Sequence, residues 1–147
     1  MEYIVGITLA LFVCGAAAWL GMDRERVFYP TILIVIATYY VLFAVIDGSD
    51  KTLLSEIAIA AVFTVLAVAG FMRNLWLVVV ALAAHGVMDV FHHALVHSTG
   101  VPSTWPGLCL AFDVTMAVFF GCVLARRGKG TAAAGNRLHD VPRQQLS

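Results

Sequence analysis

The chain has 147 residues, 61% hydrophobic and 12% charged, with nine Lys and Arg balancing nine Asp and Glu. Its mean hydropathy of +0.91 is too high for an ordinary soluble domain, and its length leaves no room for a second folded unit beside a membrane bundle. The sequence has no basic stripe interleaved with aromatics, which argues against nucleic acid as a partner. Cys14, Cys109 and Cys122 lie far apart in apolar segments, so they form neither a disulfide framework nor a CxxC metal knuckle.

Five apolar stretches follow one another, at 2–20, 27–46, 52–72, 75–96 and 107–125. Each is near the roughly 20 residues that cross a hydrocarbon core. In lipid the backbone must satisfy its own hydrogen bonds, so each stretch is expected to be a helix. The predicted fold is therefore all-α, a bundle of five transmembrane helices. The first stretch has Ala16-Ala17-Ala18 near its end but only Met1-Glu2 ahead of it, so it is read as a retained helix rather than a signal peptide. Pro30 is expected in the first turn of the second helix. Gly48 should close that helix, with Asp50 capping the third. Gly70 and Arg73-Asn74 mark the next turn, and Thr104 can cap the fifth helix. Beyond Arg126-Arg127 the composition shifts to Gly, Ala, Asn, Gln and Arg, and 127–147 is expected to be a disordered tail.

Five spans put Arg24, Arg26, Arg73, Arg126, Arg127, Lys129, Arg137 and Arg143 on one side and Lys51 alone on the other. By the positive-inside rule the N-terminus is outside and the C-terminus cytoplasmic, in a multi-pass protein of the cell membrane. The fourth helix then runs outward, with His85 near the midplane and Asp89, His92 and His93 successively further out. His97 falls at the outer boundary. The fifth helix returns inward from Trp105, which with Tyr3 is expected to be an interfacial anchor. That brings Asp113 level with Asp89 or His92.

His85, Asp89 and His92 fall within about 60° of one another on a helix of 100° per residue. Ionisable groups in hydrocarbon are costly and usually face a protein interior or a wet cavity. Glu56 on the third helix, Tyr39, Tyr40, Phe43 and Asp47 on the second, and Glu2, Tyr3 and Thr8 on the first add polar groups to the same outer half. Small Ala81, Ala84 and Gly86 would let helices approach beneath them. Imidazole and carboxylate are ligands that zinc prefers and that iron, manganese and nickel accept, so His85, Asp89, His92 and Asp113 form a candidate divalent metal site. The competing account is a hydrogen-bonded network that glues helices together. Glu56 and His93 are the candidate catalytic groups, moving protons beside such an ion. Cys109 is read as packing, although it lies one turn before Asp113 on the same face.

The run His85-x3-Asp89-x2-His92-His93, followed by Gly100-Val101-Pro102-x2-Trp105-Pro106-x2-Cys109-x3-Asp113, resembles a group of small bacterial polytopic membrane proteins. That resemblance covers about a third of the chain and implies an inner-membrane location without a particular activity. The His/Asp pattern also looks like that of the zinc-dependent membrane hydrolases of the alkaline ceramidase and adiponectin-receptor superfamily. Those proteins have seven helices and spread their histidines over separate ones, whereas here there are five helices and the histidines crowd onto one.

Three functions follow as expectations. The first is a membrane metalloprotein, with zinc as the foremost metal, that hydrolyses a lipid-like substrate among its membrane lipid partners. The second is a proton or metal-ion transporter or sensor built on the His/Asp ladder, with homo-oligomerisation supplying any pore. The third is a structural protein whose polar cluster only packs helices. Bis-histidine haem ligation needs ligands from opposite faces, which one helix of a monomer does not provide.

Overall fold

A computed structural model describes residues 1–96 and 100–139, and the side chains of 93–95 and 130–139 lie outside that description. The described chain is all-helical. Helices α1 (Glu2–Leu20), α2 (Phe28–Asp47), α3 (Asp50–Met72), α4 (Trp76–Leu95) and α5 (Trp105–His139) follow in order, with a short 3-10 turn at Met22–Arg24. By length and composition α1, α2, α3 and the Trp105–Lys129 part of α5 are each able to cross a membrane. Among the described residues, α4 contributes a shorter apolar segment, Trp76–His92.

The turns are set by local chemistry. Gly21 and Gly48 adopt left-handed conformations at φ 77° and 72°, closing α1 and α2 where a side chain would be strained. Pro30 sits in the first turn of α2, as expected. The cap of α3 is Ser49, whose side chain accepts from the Thr52 N–H, and Asp50 is instead the first helical residue. Asn74 Oδ1 accepts from the Trp76 N–H at 3.0 Å and so starts α4. The fifth helix runs past its expected end at 125 as far as His139, through Ala132-Ala133-Ala134, which favour helix. The remainder of the expected tail, 140–147, lies outside the described residues.

Packing follows the small residues. Gly6, Ala10, Cys14 and Ala17 form a buried stripe on α1 at steps of four, four and three, and it faces α5. An added Cβ at Gly6 would collide with the Leu108 carbonyl oxygen, so that glycine lets the two backbones approach closely. Gly70 is not in the turn but inside α3, where it admits Val78 of α4. Ala81 and Gly86 are buried between helices, whereas Ala84 faces outward. Leu33, Ile36, Phe63, Leu82, Met116 and Phe120 fill the centre, with Tyr29 stacked on Phe120 at 3.8 Å. Cys14 and Cys109 are buried as expected of small apolar side chains, but Cys122 is exposed on the bundle surface.

One end of the bundle gathers the arginines. Arg26 donates to the Phe71 carbonyl at 2.8 Å, and Arg127 donates to the Asp23 carbonyl at 2.8 Å. These bonds tie the α1–α2 connection to the end of α3 and to Arg127 within α5. At the opposite end Val96 and Val101 are buried, and Gly100 packs against the Phe43 carbonyl and Asp47 at the end of α2. Val96, Gly100 and Val101 therefore pack onto the bundle at this end.

Candidate metal centre

Helix α4 is amphipathic with its polar side inward. Val80, Val87, Val90 and Phe91 are more than half exposed, whereas Val78, Leu82, His85, Asp89 and His92 are buried. In water that pattern would be inverted. Where the surroundings are hydrocarbon, apolar side chains go outside, and charged groups must find partners within the bundle. The spacing of His85, Asp89 and His92 places all three on the inner face, as their sequence separation requires.

The partners come from two other helices. Gly86 allows α5 close to α4, since a Cβ there would stand 3.1 Å from Asp113 Cβ and 3.3 Å from the Leu110 carbonyl oxygen. Asp113 Oδ2 thereby lies 2.8 Å from His85 Nδ1, and with the proton on that nitrogen the ring donates to the carboxylate. Asp89 Oδ2, one turn along α4, lies 3.6 Å from the same nitrogen. His92 turns elsewhere. Its Nε2 is 2.6 Å from Glu56 Oε1 on α3, and its ring stacks on Tyr40 of α2 with centroids 4.2 Å apart. Phe63 meets the His85 ring edge-on at 4.7 Å, so the α3 side of that imidazole is apolar.

Two buried groups result. His85, Asp89 and Asp113 present ligand atoms all within 4.8 Å of one another. Two ligands about 2.1 Å from a tetrahedral ion are about 3.4 Å apart; the 3.6 Å His85–Asp89 separation is close to this, whereas the 2.8 Å His85–Asp113 separation is that of a hydrogen bond and would open as an ion replaced its proton. Asp113 Oδ1, His85 Nε2 and Glu56 Oε2 make no hydrogen bond within the described structure, and the Tyr40 hydroxyl lies beside the Asp89 carboxylate. Buried polar atoms without partners are costly and ask for an explanation, of which an ion is one. The donor set and the unpaired oxygens both fit a cation at this place.

Of the residues expected to ligate metal, the structure brings His85, Asp89 and Asp113 together and assigns His92 to Glu56 instead. Glu56, one turn into α3, does not reach water; it is 1% exposed. The side chain of His93, and His97 altogether, lie outside the described residues. Trp105 is partly buried, edge-on to Phe43 at 4.9 Å and to Tyr39 at 5.6 Å. Tyr40 is the site residue that sequence reasoning placed only on a face. Its one clue was a tyrosine at helical spacing from Phe43 and Asp47, which says nothing of the histidine it would stack upon.

An apolar recess of about 300 Å³ lies between α1, α2 and α5, lined by Leu9, Val13, Ile36, Tyr39, Trp105 and Cys109 among others. Compared with known protein families, curated proteins and solved structures, the chain matches none.

Proposed function

We propose that this chain is a multi-pass membrane protein that holds one divalent metal ion between α4 and α5, ligated by His85, Asp89 and Asp113. The observation that carries the reading is the convergence of three fully buried ligand-type side chains within 4.8 Å. Charge supports it as well. Glu56, Asp89 and Asp113 can bring three negative charges into the interior, and His85 and His92 at most two positive ones. A divalent ion with a neutral His85, beside a Glu56–His92 ion pair, leaves the interior neutral, which a low-dielectric setting strongly favours. The mixed nitrogen and oxygen donors suit zinc, manganese or iron.

On this reading the arginine-rich end faces the cytoplasm, and the site lies in the outer half of a bacterial inner membrane. Bound there, the ion would supply Lewis acidity and a water of lowered pKa, the chemistry of hydrolysis. Glu56 and His92 are the groups placed to hold or pass a proton beside it. A lipid-like substrate would approach through the apolar recess, which touches α5 at Cys109, one turn from Asp113.

Thermal unfolding in mild detergent tests the metal reading. Metal bound only by the folded state stabilises it by about 2.7 kcal/mol at a free concentration one hundred times Kd. Zinc or manganese should raise the Tm of the chelator-treated wild type and leave Asp113→Asn and His85→Ala unmoved. An equal response in all three would sink the reading.

The Glu56–His92 contact favours a second reading, proton movement along the His/Asp series. Toward the arginine-rich end, however, α4 continues from His85 through Leu82, Ala81 and Val78, which offer a proton no further step. Proteoliposome proton flux abolished by Glu56→Gln would promote this alternative.

A further inference from the structure

We infer that Cys109 is a fourth ligand of this centre, its thiolate turned toward Asp89, which makes the occupant an ion of the zinc class rather than a hard, oxygen-seeking one. The inference rests on the metal reading above and narrows it. Its basis is the register of α4 against α5. Near one end of the pair Gly121 faces Trp76 and Val79, and further along His85 meets Asp113. In this antiparallel register four residues forward on α4 match four residues back on α5, so Asp89 falls opposite Cys109. Each helix then presents a pair of ligand-type residues one turn apart, His85-x3-Asp89 on α4 and Cys109-x3-Asp113 on α5. Residues four apart on one helix face converge on a single ion, as the paired histidines of helical zinc sites do. Two such pairs on facing helices make a four-cornered set.

Independent observations agree with this arrangement. Cys109 is 5% exposed and is a free thiol. Its charged neighbours are Asp89 and Asp113. Asp89 is itself 1% exposed, with Oδ2 3.6 Å from His85 Nδ1, so a fully buried carboxylate of the cluster sits beside the thiol. Cys109 Sγ is not within the 4.8 Å cluster, and a cysteine has a single side-chain torsion by which to join it. On binding, the S–H bond breaks, a sulfur–metal bond forms and the proton stays within the polar cluster, so the neutrality of the interior is kept. A sulfur donor favours zinc, cobalt or cadmium over magnesium, calcium or manganese.

Cobalt(II) is the probe. The full chain in detergent, freed of metal and titrated with Co2+, should develop a near-ultraviolet thiolate-to-cobalt charge-transfer band. Cys109→Ser and Cys109→Ala should lose that band while still binding Co2+, and their zinc affinity should fall about tenfold or more. A double variant, Cys14→Ser with Cys122→Ser, should keep the band. If Co2+ binds in a manner abolished by His85→Ala but no band appears, or the band survives in Cys109→Ser, the cysteine ligand is refuted and the three-residue site stands. If the wild type binds no Co2+, the metal reading itself is refuted, and this inference with it.

Discussion

Tyr40 lies at the joint between the two buried groups, its ring stacked on His92 and 6.2 Å from that of His85. Glu56 reaches His92 from the third helix, so three helices meet at one imidazole. Removing either partner strands the other in a low-dielectric interior, whereas removing both removes the problem. A double-mutant cycle on Glu56→Ala and His92→Ala, measured by unfolding in detergent micelles, should therefore give a coupling of about 1–2 kcal/mol, high in the range for interhelical hydrogen bonds in membranes. A coupling below about 0.3 kcal/mol would mean the two residues act independently. Sequence reasoning could find His85, Asp89 and His92 on one face because helical periodicity fixes relative angle, and could find Asp113 because depth and a short connection fix its level. It could not divide the set. Whether His92 turns to Asp113 or to Glu56 depends on how α3 is rotated about its own axis, and that rotation is decided by packing at Ala60, Phe63 and Ala67.

Among the helices, the α1–α5 contact rests on residues too small to draw notice in a hydropathy profile. Gly6 takes the Leu108 carbonyl into the space a side chain would fill, while Gly15 has nothing within 4 Å of where its Cβ would stand. Gly6→Val should accordingly lower stability by about 1–3 kcal/mol, the usual range for overpacking, and Gly15→Val should be nearly neutral. Equal effects, read from thermal melts of the two variants, would show that the small-residue stripe does not hold these helices together. The cap of α3 gives a gentler case. Ser49→Ala should cost about 1 kcal/mol, and Asp50→Ala less. Here the sequence signal was ambiguous, since Ser49 and Asp50 are both good caps and adjacent. The choice fell to Ser49 because its extended backbone places its oxygen toward the Thr52 N–H. Gly70 illustrates the same limit. A glycine near a helix end reads as a turn, yet its use here is to admit Val78.

For the whole molecule, the number of helices and their apolar character could be read almost directly, because twenty-residue apolar runs have few alternatives in lipid. The bundle's polarity is written in its ends. Arg26 and Arg127 close one end with bonds to backbone carbonyls, and the polar cluster lies toward the other, beneath Val96 and Val101. If the positive-inside rule governs insertion, a C-terminal fluorescent reporter should fold in the cytoplasm, and a C-terminal alkaline phosphatase should be inactive. The opposite pattern would place the site in the inner leaflet.

All of these scales meet in the proposition that α4 and α5 are built around a cation. Its most direct test is the metal content of protein purified in mild detergent without added metal, for the wild type beside Asp113→Asn and Asp89→Asn variants that keep the helical circular-dichroism spectrum. About one equivalent of a divalent transition metal in the wild type, and little in either variant, is the predicted result. A wild type that stays metal-free, including after incubation with zinc, manganese and iron(II), would contradict the account and leave a hydrogen-bonded polar core in its place.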